Sequence, residues 1–269
     1  MGDVIACANQ KGGVGKTTTV INLATYLALL GRRVLVIDLD PQGNATSGLG
    51  FDRATAQTSV YPALVEGVSA RALVQPTQVD GLWLIPSGRD LAGAEVELVQ
   101  MADRERKLRD ALDDLRASFD FVLLDCPPAV GLLTVNALTA ADAVLVPIQC
   151  EYYALEGLSQ LLSTIDMVRD NLNPRLRLAG VLLTMFDART TLSADVASEV
   201  RRHLGQSVFR TVVPRSVRLA EAPSYGRPIA RYSPESRGAH AYRALADEVL
   251  EREAGAPLHV QIQHAAISA

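Results

Sequence analysis

The sequence predicts an α/β fold, a doubly wound and mainly parallel sheet with helices on both faces. Three observations carry this. Short runs rich in Val, Leu and Ile alternate with segments of helical spacing. Those runs are continuously apolar rather than alternating, as strands covered on both faces are. A glycine-rich loop joins the first run to the first helical segment, where a βα unit meets an anion.

Each element follows in order. "DVIACA" (Asp3–Ala8) reads as a strand, and "TTTVINLATYLALLG" (Thr17–Gly31) as a helix that Gly31 ends. "RVLVID" (Arg33–Asp38) is the second strand and "LWLIPSG" (Leu82–Gly88) a shorter one. "EVELVQMADRERKLRDALDDLRASF" (Glu95–Phe119) has helical spacing and mixed charge throughout. Three buried strands come next, "DFVLLD" (Asp120–Asp125), "DAVLVPIQ" (Asp142–Gln149) and "LAGVLLTMF" (Leu178–Phe186), separated by helical segments such as Ala154–Asn171. A last strand, "SVFRTVVP" (Ser207–Pro214), precedes a loop-rich stretch and the helix Glu235–Arg252. Residues 1–254 read as one domain without an internal repeat, and 255–269 as a loose tail.

Bulk properties exclude several classes. The net charge of −4 gives no global sign of nucleic-acid binding. No apolar run reaches the roughly 18 residues that span a bilayer. The N-terminus opens directly into a strand and a functional loop, unlike a signal peptide. Cys7, Cys126 and Cys150 lack metal-site spacing and sit in or beside apolar runs, as buried thiols do.

The chemistry concentrates in "ANQKGGVGKTTTV". Gly12, Gly13 and Gly15 let the backbone curl and turn its N–H groups toward an anion, and the helix starting at Lys16–Thr17 adds its positive end. Lys16 is placed to reach the β- and γ-phosphates of a nucleotide, and the Thr17 hydroxyl to ligate Mg²⁺. The chain holds only three lysines (11, 16 and 107), yet Lys11 lies in the same loop, where a standard phosphate loop would begin with glycine at position 10 and this one has Gln10. Two further stretches end strands in carboxylates, "VIDLDPQGN" with Asp38 and Asp40, and "FVLLDCPPAVG" with Asp125. Carboxylates at the carboxyl ends of parallel strands suit a metal ion and its water.

"KGGVGKTT" resembles the deviant Walker A signature of the ParA/MinD group of P-loop ATPases. The resemblance runs from Val4 to about Val249 and is closest to the ParA or Soj partition ATPases, through "DLDPQGNATSGLG", "LAGAEVEL", "PIQCEYYALEGLSQLL" and "RLAEAPSYGRPI". It implies a P-loop NTPase fold of the deviant Walker A type, an ATPase using ATP and Mg²⁺, and a cytoplasmic, nucleoid-associated protein. Residues Lys11, Gly12, Gly13, Val14, Gly15, Lys16, Thr17 and Thr18 then form the nucleotide loop, with Thr18 at the α-phosphate. Lys11 reaches the partner's phosphates across an ATP-sandwiched homodimer, Asp40 positions the attacking water, Asp125 holds Mg²⁺, and Asp38 supports the metal shell. Adenine lies near Met185, Pro214 and Ser216; the family often has Asn at position 216, so Ser216 leaves only a backbone contact.

The same resemblance implies non-specific binding to double-stranded DNA and a ParB-type centromere-binding partner. Charge distribution agrees. Residues 201–243 hold nine arginines against two acids, a local excess of seven positive charges on an acidic chain. Arg189, Arg201, Arg218 and Arg227 are the candidate phosphate contacts. The alternative is a MinD-like membrane-associated ATPase, but residues 253–269 carry no Lys or Arg for anionic lipid, so no membrane partner is expected. An iron protein would need further cluster cysteines, and a pure binding scaffold would not need Lys11, Lys16, Thr17, Asp40 and Asp125 together.

Overall fold

The computed structural model of this chain describes residues 2–52, 58–151 and 154–254; the expected tail at 255–269 lies outside them. Its strands are β1 (Asp3–Cys7), β2 (Val34–Asp38), β3 (Gln75–Pro76), β4 (Leu82–Ile85), β5 (Phe121–Asp125), β6 (Ala143–Gln149), β7 (Arg177–Phe186) and β8 (Val208–Pro214). They form one sheet in the order β3-β4-β2-β5-β1-β6-β7-β8. Every pairing is parallel except β3 with β4. From β1 the chain runs to β2 on one side and later to β6 on the other, so the carboxyl end of β1 is a switch point, the usual ligand crevice of open α/β sheets.

Eleven α-helices are described: α1 (Lys16–Leu29), α2 (Asn44–Gly48), α3 (Tyr61–Val65), α4 (Leu91–Leu98), α5 (Lys107–Leu112), α6 (Leu132–Ala140), α7 (Ala154–Asn171), α8 (Thr191–Leu204), α9 (Val217–Glu221), α10 (Ile229–Tyr232) and α11 (Arg237–Ala254). The strands divide their side chains between two cores. Phe121 and Leu123 of β5 join Val34 and Val36 of β2 under α1 and α11, while Val122 and Leu124 join Leu35 and Ile37 under α4, α5 and α6. Each such side chain contributes roughly 1.5–3 kcal/mol when fully buried, and burial on both faces leaves no polar position in the strand.

The strand and helix boundaries expected from sequence hold to within one or two residues, except in two places. The strand expected over Leu82–Gly88 ends at Ile85, three residues early. The single helical pattern over 95–119 is two helices, α4 and α5, followed by a 3-10 turn at Arg116–Ser118. The break has a definite cause. Asp103 takes a left-handed backbone (φ 51°), and Asn136 of α6, fully buried, donates to the Arg104 carbonyl (2.8 Å) and accepts from the Leu108 amide (3.1 Å). A clamp from a helix thirty residues away cannot be read from periodicity. Gly31 ends α1 as expected, with φ 83° and its N–H bonded to the Ala28 carbonyl at 2.9 Å.

Candidate functional site

The site is built at the carboxyl ends of β1, β5 and β2, where Cys7, Asp125 and Asp38 lie in register. Beyond β1 the ladder to β6 stops, and a side chain continues it. Asn9 donates to the Pro147 carbonyl (2.7 Å) and accepts from the Lys11 amide (2.9 Å), which fixes the start of the phosphate loop. Gly13 and Gly15 then take φ of 74° and 91°, conformations that side chains resist. Val14 packs inward, and its carbonyl lies 2.8 Å from the Thr184 hydroxyl of β7.

Gly15 caps α1 without a side-chain bond, so the first amides of α1 point into the loop with no side-chain acceptor. Such an uncapped helix start suits an anion. Lys16 is buried and its ammonium donates to the Lys11 carbonyl at 3.1 Å, folded over the loop. Lys11 behaves differently. Its side chain is 44% exposed and its ammonium faces Glu151 at 3.6 Å, away from the cradle that Lys16 covers. Glu151 also faces Arg215 at 3.6 Å.

Asp38 and Asp125 are both fully buried. Burial pushes the Asp38 carboxyl up to about 6, against hydrogen bonds from Thr46 and from the Asp40 amide. Burial first, and Asp38 second, push Asp125 well above the usual carboxylate range. Neither oxygen of Asp125 has a hydrogen-bond partner, although the nearby Thr17 hydroxyl eases its charge. Two orphaned carboxylate oxygens beside a hydroxyl are the donor set a Mg²⁺ ion completes. Among the described residues no three His, Cys, Asp or Glu side chains converge on one point, a sparse carboxylate set that would suit Mg²⁺, which is commonly held by one or two carboxylates with phosphate and water oxygens. Asp38 itself is engaged: Oδ1 accepts from the Asp40 amide (3.1 Å) and Oδ2 from the Thr46 amide and hydroxyl (2.8 and 2.7 Å). Both of its oxygens are thus taken up within the chain. Asp40, 6% exposed, accepts from the Gln42 amide at 2.9 Å.

Next to the loop, Met185, Pro214 and Ser216 line a single pocket of about 240 Å³ with Gly15 and Thr18. Sequence reasoning missed its other walls, Thr184, Val213, Arg215, Leu219, Ala220 and Tyr242. Met185 takes φ 50°, a strained backbone for a side-chain-bearing residue at a pocket wall. Tyr242 of α11 reaches across to Thr19 of α1 at 3.2 Å and so ties the far end of the chain to the nucleotide helix. Cys7, Cys126 and Cys150 are buried and free, and burial raises all three thiols.

The four arginines lie elsewhere, and not as equals. Arg189, 86% exposed, forms a fork with both carboxylate oxygens of Asp187 (2.9 and 2.7 Å). Arg218 pairs with Glu221 at 3.0 Å. Arg201 donates to the Phe209 and Arg210 carbonyls. Arg227 lines an open cleft of about 270 Å³ with Arg231, Gln78 and Thr77, and among the described residues it forms no ion pair.

The family model described as "AAA domain" matches residues 2–178. The chain is 58% identical to the chromosome-partitioning ATPase Soj of Thermus thermophilus over 92% of this chain and 95% of that protein. It is 54% identical to the sporulation initiation inhibitor protein Soj of Bacillus subtilis over 93% of this chain and 98% of that one. Among solved structures, one from Mycobacterium smegmatis, named as cobyrinic acid a,c-diamide synthase with bound ADP and magnesium, superposes with a TM-score of 0.83 at 43% identity, covering 95% of this chain and 96% of the other.

Proposed function

This chain belongs to the Soj/ParA family of chromosome-partitioning ATPases, and on that premise we propose that it is a nucleotide-switched dimer that moves DNA. ATP closes two copies face to face, the closed pair holds duplex DNA without reading its sequence, and hydrolysis reopens it. A ParB-type protein bound at a centromere-like site stimulates the turnover.

In this reading the loop amides from Gly12 to Thr18 bind the phosphates, and Lys16 neutralises the β- and γ-phosphates. Thr17 and Asp125 hold Mg²⁺, with Asp38 behind them. When bound, Mg²⁺ neutralises charge on the phosphates and orients them for in-line attack. Asp40 orients the attacking water. Met185, Pro214 and Ser216 take the adenine. Arg189, Arg201, Arg218 and Arg227 meet DNA phosphates, and the protein remains cytoplasmic on the nucleoid. No described helix is long and apolar enough to cross a membrane.

One observation carries the dimer. Of two lysines in one loop, Lys16 covers its own cradle while Lys11 turns outward, half exposed against Glu151. A cation so placed can exchange one carboxylate for the phosphates of a second copy. The test is fluorescence anisotropy on random-sequence duplex DNA with Mg²⁺ and either ATP or ADP, across a salt series. Binding with ATP alone, weakening steeply with salt, is the expected result. Equal binding in both nucleotides, or none in either, would overturn the switched-dimer reading.

A further inference from the structure

The segment after β4, "PSG" at Pro86–Gly88, reads in sequence only as the end of a strand. In the fold it reaches under the carboxylates. Ser87 is fully buried, and its hydroxyl donates to the Asp40 carbonyl at 2.7 Å. Its amide donates to the Thr46 hydroxyl at 2.9 Å. That hydroxyl donates to Asp38 Oδ2 at 2.7 Å, and Asp38 Oδ1 accepts the Asp40 amide at 3.1 Å. The four bonds close a ring, Asp40 to Ser87 to Thr46 to Asp38 and back to Asp40.

Every member of the ring is at most 6% exposed, so water cannot substitute for a missing link without entering the core. Asp40 is thereby gripped on both sides of its α-carbon, at its own N–H through Asp38 and at its own C=O through Ser87. Its side chain is held as well, since Oδ1 accepts the Gln42 amide at 2.9 Å. Thr46 has a double duty, because it opens the first turn of α2 and also relays between Ser87 and Asp38.

We propose that Ser87 is a positioning residue for ATP hydrolysis: by holding the Asp40 carbonyl it sets the direction from which the Asp40 carboxylate meets the attacking water. The proposal rests on the reading of Asp40 as the water-orienting carboxylate. A displaced backbone at Asp40 shifts that carboxylate by a fraction of an ångström to an ångström, and misplacements of that size slow chemistry while leaving the phosphates where Lys16 and the loop amides hold them. The effect therefore falls on the chemical step and not on nucleotide binding.

The experiment is single-turnover ATP hydrolysis with full-length protein in excess, so that product release does not mask the chemistry, together with ATP affinity and thermal midpoint. Variants are Ser87→Ala, Asp40→Ala, the double variant, and Thr46→Ser beside Thr46→Val. Ser87→Ala is expected to slow hydrolysis about tenfold with ATP affinity within twofold of the parent. Thr46→Val should do the same and Thr46→Ser, which keeps the hydroxyl, should not. The double variant should be no slower than Asp40→Ala, since a residue acting through Asp40 has nothing left to position. Unchanged hydrolysis in Ser87→Ala beside a slow Asp40→Ala would sink the proposal alone. So would a lower midpoint or weaker ATP binding at unchanged rate, or losses that add in the double variant. Full turnover in Asp40→Ala would remove the Asp40 reading and this proposal with it.

Discussion

The phosphate loop and the stretch 201–243 handle positive charge in opposite ways. In the loop, Lys16 is buried, bonded to one carbonyl, and faces an uncapped helix end and an unpartnered carboxylate. In the stretch, nine arginines lie at the surface, and most are already spoken for. Arg202 pairs with Glu199, Arg210 with Glu248 and Glu251, Arg215 with Glu151, Arg218 with Glu221 and Arg243 with Asp247. Four of those five sets of partners lie outside the stretch in sequence. The excess of seven counted along the chain is therefore not a field of seven charges in space. Among the described residues Arg201, Arg227, Arg231 and Arg237 form no ion pair; Arg201 is held by two carbonyls, so the other three should dominate any attraction for phosphate. Exposed pairs contribute little stability and are readily exchanged for another anion, so the paired arginines remain available at a cost. One buried cation with a fixed task thus outweighs a surface of many.

That contrast can be broken experimentally, the largest effect first. Lys16→Ala should abolish tight ATP binding and lower phosphate release at least about 10²-fold, the order expected for losing one preorganised charge at a reacting centre. Replacing Arg227, Arg231 and Arg237 together by Ala should leave ATP affinity unchanged, as read by a fluorescent ATP analogue. Next, Lys11→Ala should retain ATP binding while turnover falls on the order of 10²-fold and the ATP-dependent dimer disappears from light scattering. A dimer that persists would move Lys11 out of the interface.

The third effect concerns the carboxylates behind Lys16. An ordinary Asp ionises near pH ~4, while burial pushes Asp38 up to about 6 and raises Asp125 as well. Between about pH 4 and 6 the folded chain thus holds protons that the unfolded chain has released, and the stability of the nucleotide-free protein falls as pH rises through that window. In the proposed reading Mg²⁺ displaces the proton that burial favours on Asp125, so its apparent affinity, measured by calorimetry in the presence of ADP, should rise with pH. A flat response would detach the cation from this pair. The smallest effect is at the arginine surface. Arg227→Ala should flatten the salt dependence of DNA binding by about one unit of slope, and Arg201→Ala by less, because Arg201 already donates to two carbonyls.

The two regions also differ in how far the sequence exposes them. The loop is legible because its geometry demands particular residues: glycines where φ is positive at Gly13 and Gly15, a lysine at the helix start, carboxylates at strand ends. The strands are legible because burial on both faces leaves continuous apolar runs. Met185, Pro214 and Ser216, which the family likeness puts near adenine, line one pocket. What stayed hidden depends on partners distant along the chain. Ser87 and Thr46 are ordinary polar residues until β4 and α2 bring them to Asp38 and Asp40. The break at Asp103 needs Asn136, and the charge of the arginine stretch needs acids from α8 and α11.

The bond between Thr19 and Tyr242 joins residues 223 positions apart. Tyr242 forms one wall of the pocket beside the phosphate loop, and α11 packs along α1. During synthesis the phosphate loop therefore emerges early and waits for its lid. At about 5–20 residues per second the interval between the two is on the order of 10–45 seconds. Throughout it a nascent chain carries the signature loop without Tyr242, one wall of the pocket beside that loop.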